Sequence, residues 1–211
     1  MAKFGFVFLV LAGLCISNPA FGKEGVYNSF FKHLGESDYI QLSNAMYFSN
    51  PKMIYSAVRR VGELKITNAR DRVREIFSEA RPHLSGEGAR RSAVLRDSFL
   101  ISAWTMGQIG NELDAQELAD SLKDIRDRES RIVIINSLGE LKYAIAINTL
   151  HNLSRTETDQ DAARAIVDAI KKHNLRNSYI FLVDMAERPS FNKALREHIT
   201  NVANHILNQG K

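Results

Sequence analysis

Apolar residues recur along most of this chain at the three- and four-residue intervals of a helix. Ile54, Val58 and Val61 mark one stripe, and Ala115, Leu118 and Leu122 another. Such spacing gathers apolar side chains on one face of an α-helix. No stretch sustains the alternation of apolar and polar residues between tight turns that a half-buried strand would leave. Helix boundaries are marked as well. Asn50-Pro51 offers an N-cap followed by proline at the first helical position. Thr158, with Asp161 three residues on, resembles a capping box. Gly35, Gly62, Gly107 and Gly139 stand where helices could end in a left-handed cap.

The pattern repeats. With Gly107, Gly139 and Lys171 in register, at an interval of 32 residues, Met106, Leu138 and Ile170 coincide just before them. Ala103, Ile135 and Val167 coincide one turn earlier. Beyond the turn, Ala115 aligns with Ile147 and Tyr179, Leu118 with Leu150 and Leu182, and Ser121 with Leu153 and Met185. An earlier copy joins at Gly62, 45 residues before Gly107, so about 13 extra residues separate those two copies. The segment Pro82 to Arg91 can hold most of them as a loop. Each copy reads as two amphipathic helices with a short connection, and one such pair cannot cover its own apolar faces. The expected fold is therefore all-α: an α-solenoid of about five stacked antiparallel helix pairs plus a C-terminal capping helix. The units fall at roughly 24–48, 51–84, 93–125, 126–157 and 159–188. The closing helix carries Leu195, Ile199, Val202 and Ile206 on one face. In the first unit, Tyr27, Phe30, Phe31, Tyr39, Tyr47 and Phe48 suggest a bulky cap over the end of the array.

Three strings carry a family resemblance: Val58-Arg59-Arg60-Val61-Gly62-Glu63-Leu64, Ile135-Asn136-Ser137-Leu138-Gly139-Glu140-Leu141 and Trp104-Thr105-Met106-Gly107-Gln108-Ile109-Gly110. With a period near 30, they are similar to bacterial HEAT-like repeats of the phycobilisome-lyase type, and the likeness covers most of residues 51–188. Lys171 and Lys172 depart from it, replacing the glycine and its neighbour in the last unit. The resemblance implies a curved inner face lined by the second helices, and roles as scaffold, adaptor or subunit. A few members of that family are enzymes, which leaves a lyase-like enzyme or enzyme accessory as the alternative.

The first 22 residues differ from the rest. Lys3 precedes an uncharged apolar run, Phe4 to Ile16, and Asn18-Pro19 breaks it before Ala20-Phe21-Gly22. This is the pattern of a secretory signal cleaved after Gly22. A helix over residues 4–16 would span only about 20 Å, against the roughly 30 Å of a bilayer core. The expectation is an exported protein, periplasmic or extracellular, with no membrane span after cleavage. Lipid attachment at Cys15 is the alternative, disfavoured by Leu14 just before it. Cys15 is the single cysteine, so residues 23–211 have no disulfide and no thiolate chemistry. The expected parts are a cleaved signal at 1–22, a helical cap or first unit at 23–50, HEAT-like repeats at 51–188, and a closing helix and tail at 189–211. The net charge of +4 is mild and its basic residues alternate with acidic ones. That describes a solvated surface better than a nucleic-acid stripe.

Little in the sequence points to catalysis. The six histidines lack zinc-motif spacing, and solvated histidines are expected, with His151 partly buried beside Leu150. Gly107 to Gly110 reads as a helix-ending turn and not a phosphate cradle. No catalytic residue, metal or cofactor is assigned. The stronger signal is a ladder on the second helices, where Glu75, Asp120, Asn152 and Asp184 share one rung and Gln116 and Asn148 another. Stacked, these would form a polar, mildly acidic strip suited to a basic or polar peptide. Arg90 and Arg91, in the inserted segment, form a second candidate, because insertions often carry binding loops. The expected function is a non-enzymatic scaffold or adaptor holding a protein or peptide partner.

Overall fold

The computed structural model describes residues 30–84 and 93–209. The signal-like segment, Tyr27 and the Arg90–Arg91 loop lie outside them. The described residues are all-helical, with no strand among them. The helices are α1 (Tyr39–Ala45), α2 (Pro51–Glu63), α3 (Arg70–Ala80), α4 (Ala93–Ile109), α5 (Glu112–Ser121), α6 (Arg128–Glu140), α7 (Ala144–Thr156), α8 (Gln160–His173), α9 (Tyr179–Ala186) and α10 (Lys193–Gln209). Among the described residues no helix is long and apolar enough to cross a membrane.

Local chemistry sets the helix starts. Asn50 accepts a hydrogen bond from the Lys52 amide at 3.0 Å, with Pro51 at the first helical position. Asn111 and Asp114 form a reciprocal capping box at the start of α5. At α8 the cap differs from expectation. Asp159, not Thr158, accepts from the amides of Asp161 and Ala162. A carboxylate there satisfies two orphan donors and meets the positive end of the helix dipole.

The glycines also differ from expectation. Gly62, Gly107 and Gly139 lie inside α2, α4 and α6, and Gly35 precedes the Glu36–Asp38 turn. The left-handed positions are Lys65 and Asn174, at φ 54° and 52°. The helical glycines instead mark close approaches. A Cβ on Gly107 would stand 2.8 Å from Ser137 Cα, and one on Gly139 would stand 2.8 Å from Ala169 Cα. On Gly62 it would meet the Trp104 ring at 2.5 Å. Ser137 and Ala169 are themselves 32 residues apart, so the same contact recurs from α4 on α6 to α6 on α8. Lys171 is exposed, so the last copy has room for a lysine at the position where the earlier copies hold glycine.

Alternate helices pack on one another: α2 on α4, α4 on α6, α6 on α8, and α8 on α10. On the other side α5 packs on α7, and α7 on α9. Leu118, Leu150 and Leu182 are fully buried in one continuous core. The row Met106, Leu138 and Ile170 and the row Ala103, Ile135 and Val167 are buried too. Aliphatic rows from successive units thus close over one another, and burying each leucine, isoleucine, valine or methionine among them contributes roughly 1.5–3 kcal/mol.

At the N-terminal end, among the described aromatics expected to cap the array, Phe31 alone packs against the core. Phe30, Tyr39, Tyr47 and Phe48 are exposed. Leu34, Leu42, Ala45 and Met46 seal the core instead. Two arginines hold this end in place: Arg60 donates to the Leu34 carbonyl and Arg72 to the Met46 carbonyl. Arg72 also lies over the Tyr47 ring, 4.5 Å from its centroid.

Candidate functional site

Three of the six strip residues come together. Gln116 and Asp120 on α5, and Asn152 on α7, line one open groove of about 310 Å³. Ala119, Leu122, Lys123, Ile145, Thr149 and Leu153 complete it. The helical period explains the convergence. Positions 116, 119 and 120 share one face of α5, with Lys123 in the turn that follows it, and 145, 149, 152 and 153 share one face of α7. Leu118 and Leu150 anchor the opposite faces in the core.

Asp120 is the charged centre of the groove. Its Oδ2 accepts from Gln116 Nε2 at 2.8 Å, and its Oδ1 accepts from Lys123 Nζ at 2.6 Å. The Lys123 hydrogen bond first, and the Gln116 one second, hold the Asp120 carboxyl below the usual carboxylate range. Thr149 donates its hydroxyl proton to the Ile145 carbonyl at 2.8 Å, leaving its oxygen lone pairs toward acceptor duty.

The other strip residues stand apart. Asn148 is exposed on α7 but does not line the groove. Glu75, on α3, is paired with Arg72 at 3.0 Å. Asp184 is exposed on α9 and makes no ion pair among the described residues. Sequence spacing alone missed Thr149 and the apolar lining, because the polar ladder was traced through exposed positions only.

A second polar centre joins α3 to α5. Asp114 is fully buried and accepts from Arg74 Nε at 2.7 Å, with Arg70 Nε at 3.6 Å. Arg70 also donates to the Ile109 carbonyl. Farther along, Arg81 pairs with Asp124 at 2.6 Å and Glu117 at 3.5 Å. This junction is held by charges, whereas the α5–α7 junction opens into the groove.

Three of the six histidines are engaged, while His33 and His83 are exposed as expected. His173 Nε2 lies 3.0 Å from the Leu138 carbonyl and His198 Nε2 lies 2.8 Å from Asp168. His151 is buried, 2.9 Å from the hydroxyl of fully buried Ser178, and its ring stacks on Phe181 at 3.9 Å. Burial, then the charges of His173 and Arg155, depress the His151 pKa to about 4. A serine and histidine at this distance invite a nucleophilic reading, but a hydroxyl sealed from solvent cannot meet a substrate. The pair serves packing. Among the described residues no group of three His, Cys, Asp or Glu side chains is placed to hold a metal ion.

No family model matches the sequence, and comparison with curated proteins finds no match.

Proposed function

We propose that this chain is an exported, non-enzymatic scaffold of HEAT type, an α-solenoid whose second helices hold a protein or peptide partner. The recurring helix contacts at a 32-residue interval support the solenoid. The observation that carries the binding role is the groove in which Gln116, Asp120 and Asn152, from two successive units, converge over an apolar lining. A preformed surface on rigid helices loses little order on binding. Export follows from the charged and apolar pattern of residues 1–22.

A photo-crosslinking residue placed at Asn152 in cells tests the reading. It should trap a discrete partner, and charge reversal at Asp120 should remove that adduct. A crosslink pattern identical in the reversed variant, or none above background, would overturn it.

A further inference from the structure

We propose that the α5–α7 groove is a slot for one lysine side chain of an extended peptide, and that Lys123 occupies its anionic end until the partner arrives. The inference rests on the binding role proposed above and names the chemistry of the partner.

The two oxygens of Asp120 are not equivalent. Gln116 holds Oδ2, and Gln116 itself lines the groove. Oδ1 is held only by Lys123 Nζ among the described residues. The Lys123 side chain is 75% exposed, so most of its length is in water and the contact is easily exchanged. Exposed ion pairs of this kind contribute little. The occupant already in place shows what Oδ1 accepts, which is a primary ammonium.

The geometry favours lysine over arginine. A guanidinium binds best through a two-pronged contact with both carboxylate oxygens. Displacing Lys123 frees one oxygen entirely, while Gln116 still takes one of the two lone pairs of the other and crowds a two-pronged approach. A compact ammonium needs only that single point, and Thr149 and Asn152, whose side-chain oxygens are acceptors, line the same groove. The four-carbon stem has matching surface in Ala119, Leu122, Ile145 and Leu153. Arg81, the neighbouring cation, does not repel the newcomer strongly, since Asp124 and Glu117 balance its charge.

Nuclear magnetic resonance titration of the isotope-labelled protein tests this. The probes are end-blocked peptides of one glycine–serine framework carrying lysine, arginine, glutamate or no charge. The lysine peptide should shift the amides of residues 116–123 and 145–153, and bind more tightly than the arginine peptide. Asp120→Asn should weaken it about tenfold. Lys123→Ala, which removes the resident competitor, should strengthen it about threefold. The Lys123–Asp120 pair is solvent-screened, so both variants should melt close to the wild type. A lysine peptide that binds no better than the uncharged one overturns the inference, and so does a Lys123→Ala variant that binds more weakly. If uncharged or acidic peptides shift those amides instead, the binding role survives and the lysine slot does not. If no peptide shifts them, both fall.

Discussion

Gly107 lies so close to Ser137 that any Cβ on it would stand 2.8 Å from the Ser137 Cα and 2.9 Å from its Cβ. Backbone, not a flexible side-chain end, sets this limit. Alanine would normally favour the helix by about 1 kcal/mol over glycine. Here the overpacking of α4 against α6 should outweigh that gain.

Gly107→Ala is therefore expected to destabilise by about 1–2 kcal/mol net, lowering the melting temperature by roughly 2–8 °C. Gly139→Ala should behave alike, having Ala169 Cα at 2.8 Å. Lys171→Ala, at the exposed register position, should change little. Thermal denaturation of the three variants checks the contrast. A neutral Gly107→Ala would show that the helices simply move apart.

The end of α2 offers a stabilising change. Lys65 sits at φ 54°, where its amide bonds to the Gly62 carbonyl and the Ile66 amide to the Val61 carbonyl. That pair of bonds is the Schellman arrangement, which ordinarily places glycine at the left-handed position. Lys65→Gly should stabilise by about 1 kcal/mol, read as a higher urea midpoint with an unchanged slope.

Asp114 has the opposite character. Alanine there would leave Arg74 and Arg70 facing a buried gap and would remove one half of the α5 capping box. Breaking a buried pair from one side costs about 3–5 kcal/mol. Asp114→Asn keeps the cap and loses the charge, so it should fall between wild type and alanine. Equilibrium denaturation of both variants gives the order.

Acid sensitivity should centre on His151. Its folded-state pKa is lowered to about 4, from an ordinary value of 6.5. The unfolded chain therefore binds this proton first. The stability it contributes is complete above about pH 6.5 and is lost as the pH falls toward 4, at up to about 1.4 kcal/mol per pH unit. His173 is shifted the same way, by burial foremost, and adds to the slope. Asp120 and Asp127, whose pKa values are lowered, lose their contribution only below the ordinary carboxylate value of 3.8. Denaturation at pH 7 and pH 5 thus isolates the histidines. His151→Gln should flatten the difference between the two, and an unchanged slope would refute this assignment.

The helices were legible in the sequence because amphipathic spacing is a local signal. Leu118, Leu150 and Leu182 could be aligned by interval alone, and all three are fully buried. Asn50 was legible for a related reason, since capping acts over two or three residues, whereas the α8 cap was read one residue early, at Thr158 instead of Asp159. The glycines misled. Gly62, Gly107 and Gly139 look like helix-ending residues in one dimension, and only the neighbouring helix reveals why a side chain is excluded. The aromatics at 39, 47 and 48 misled in the same way, because hydrophobic character does not state which face finds a partner.

Sequence by itself determined that the described chain folds as helices, roughly where each begins, and which aliphatic rows are shielded from water. Those features follow from contacts within a few residues and from a repeating interval. Tertiary structure alone decided that Gln116, Asp120 and Asn152 share one groove while Glu75 and Asp184 do not, that Asp114 is buried with Arg74, and that His151 meets Ser178. These depend on the offset of one helix against the next. That offset is set by the packing of both helices together, and neither sequence segment encodes it alone.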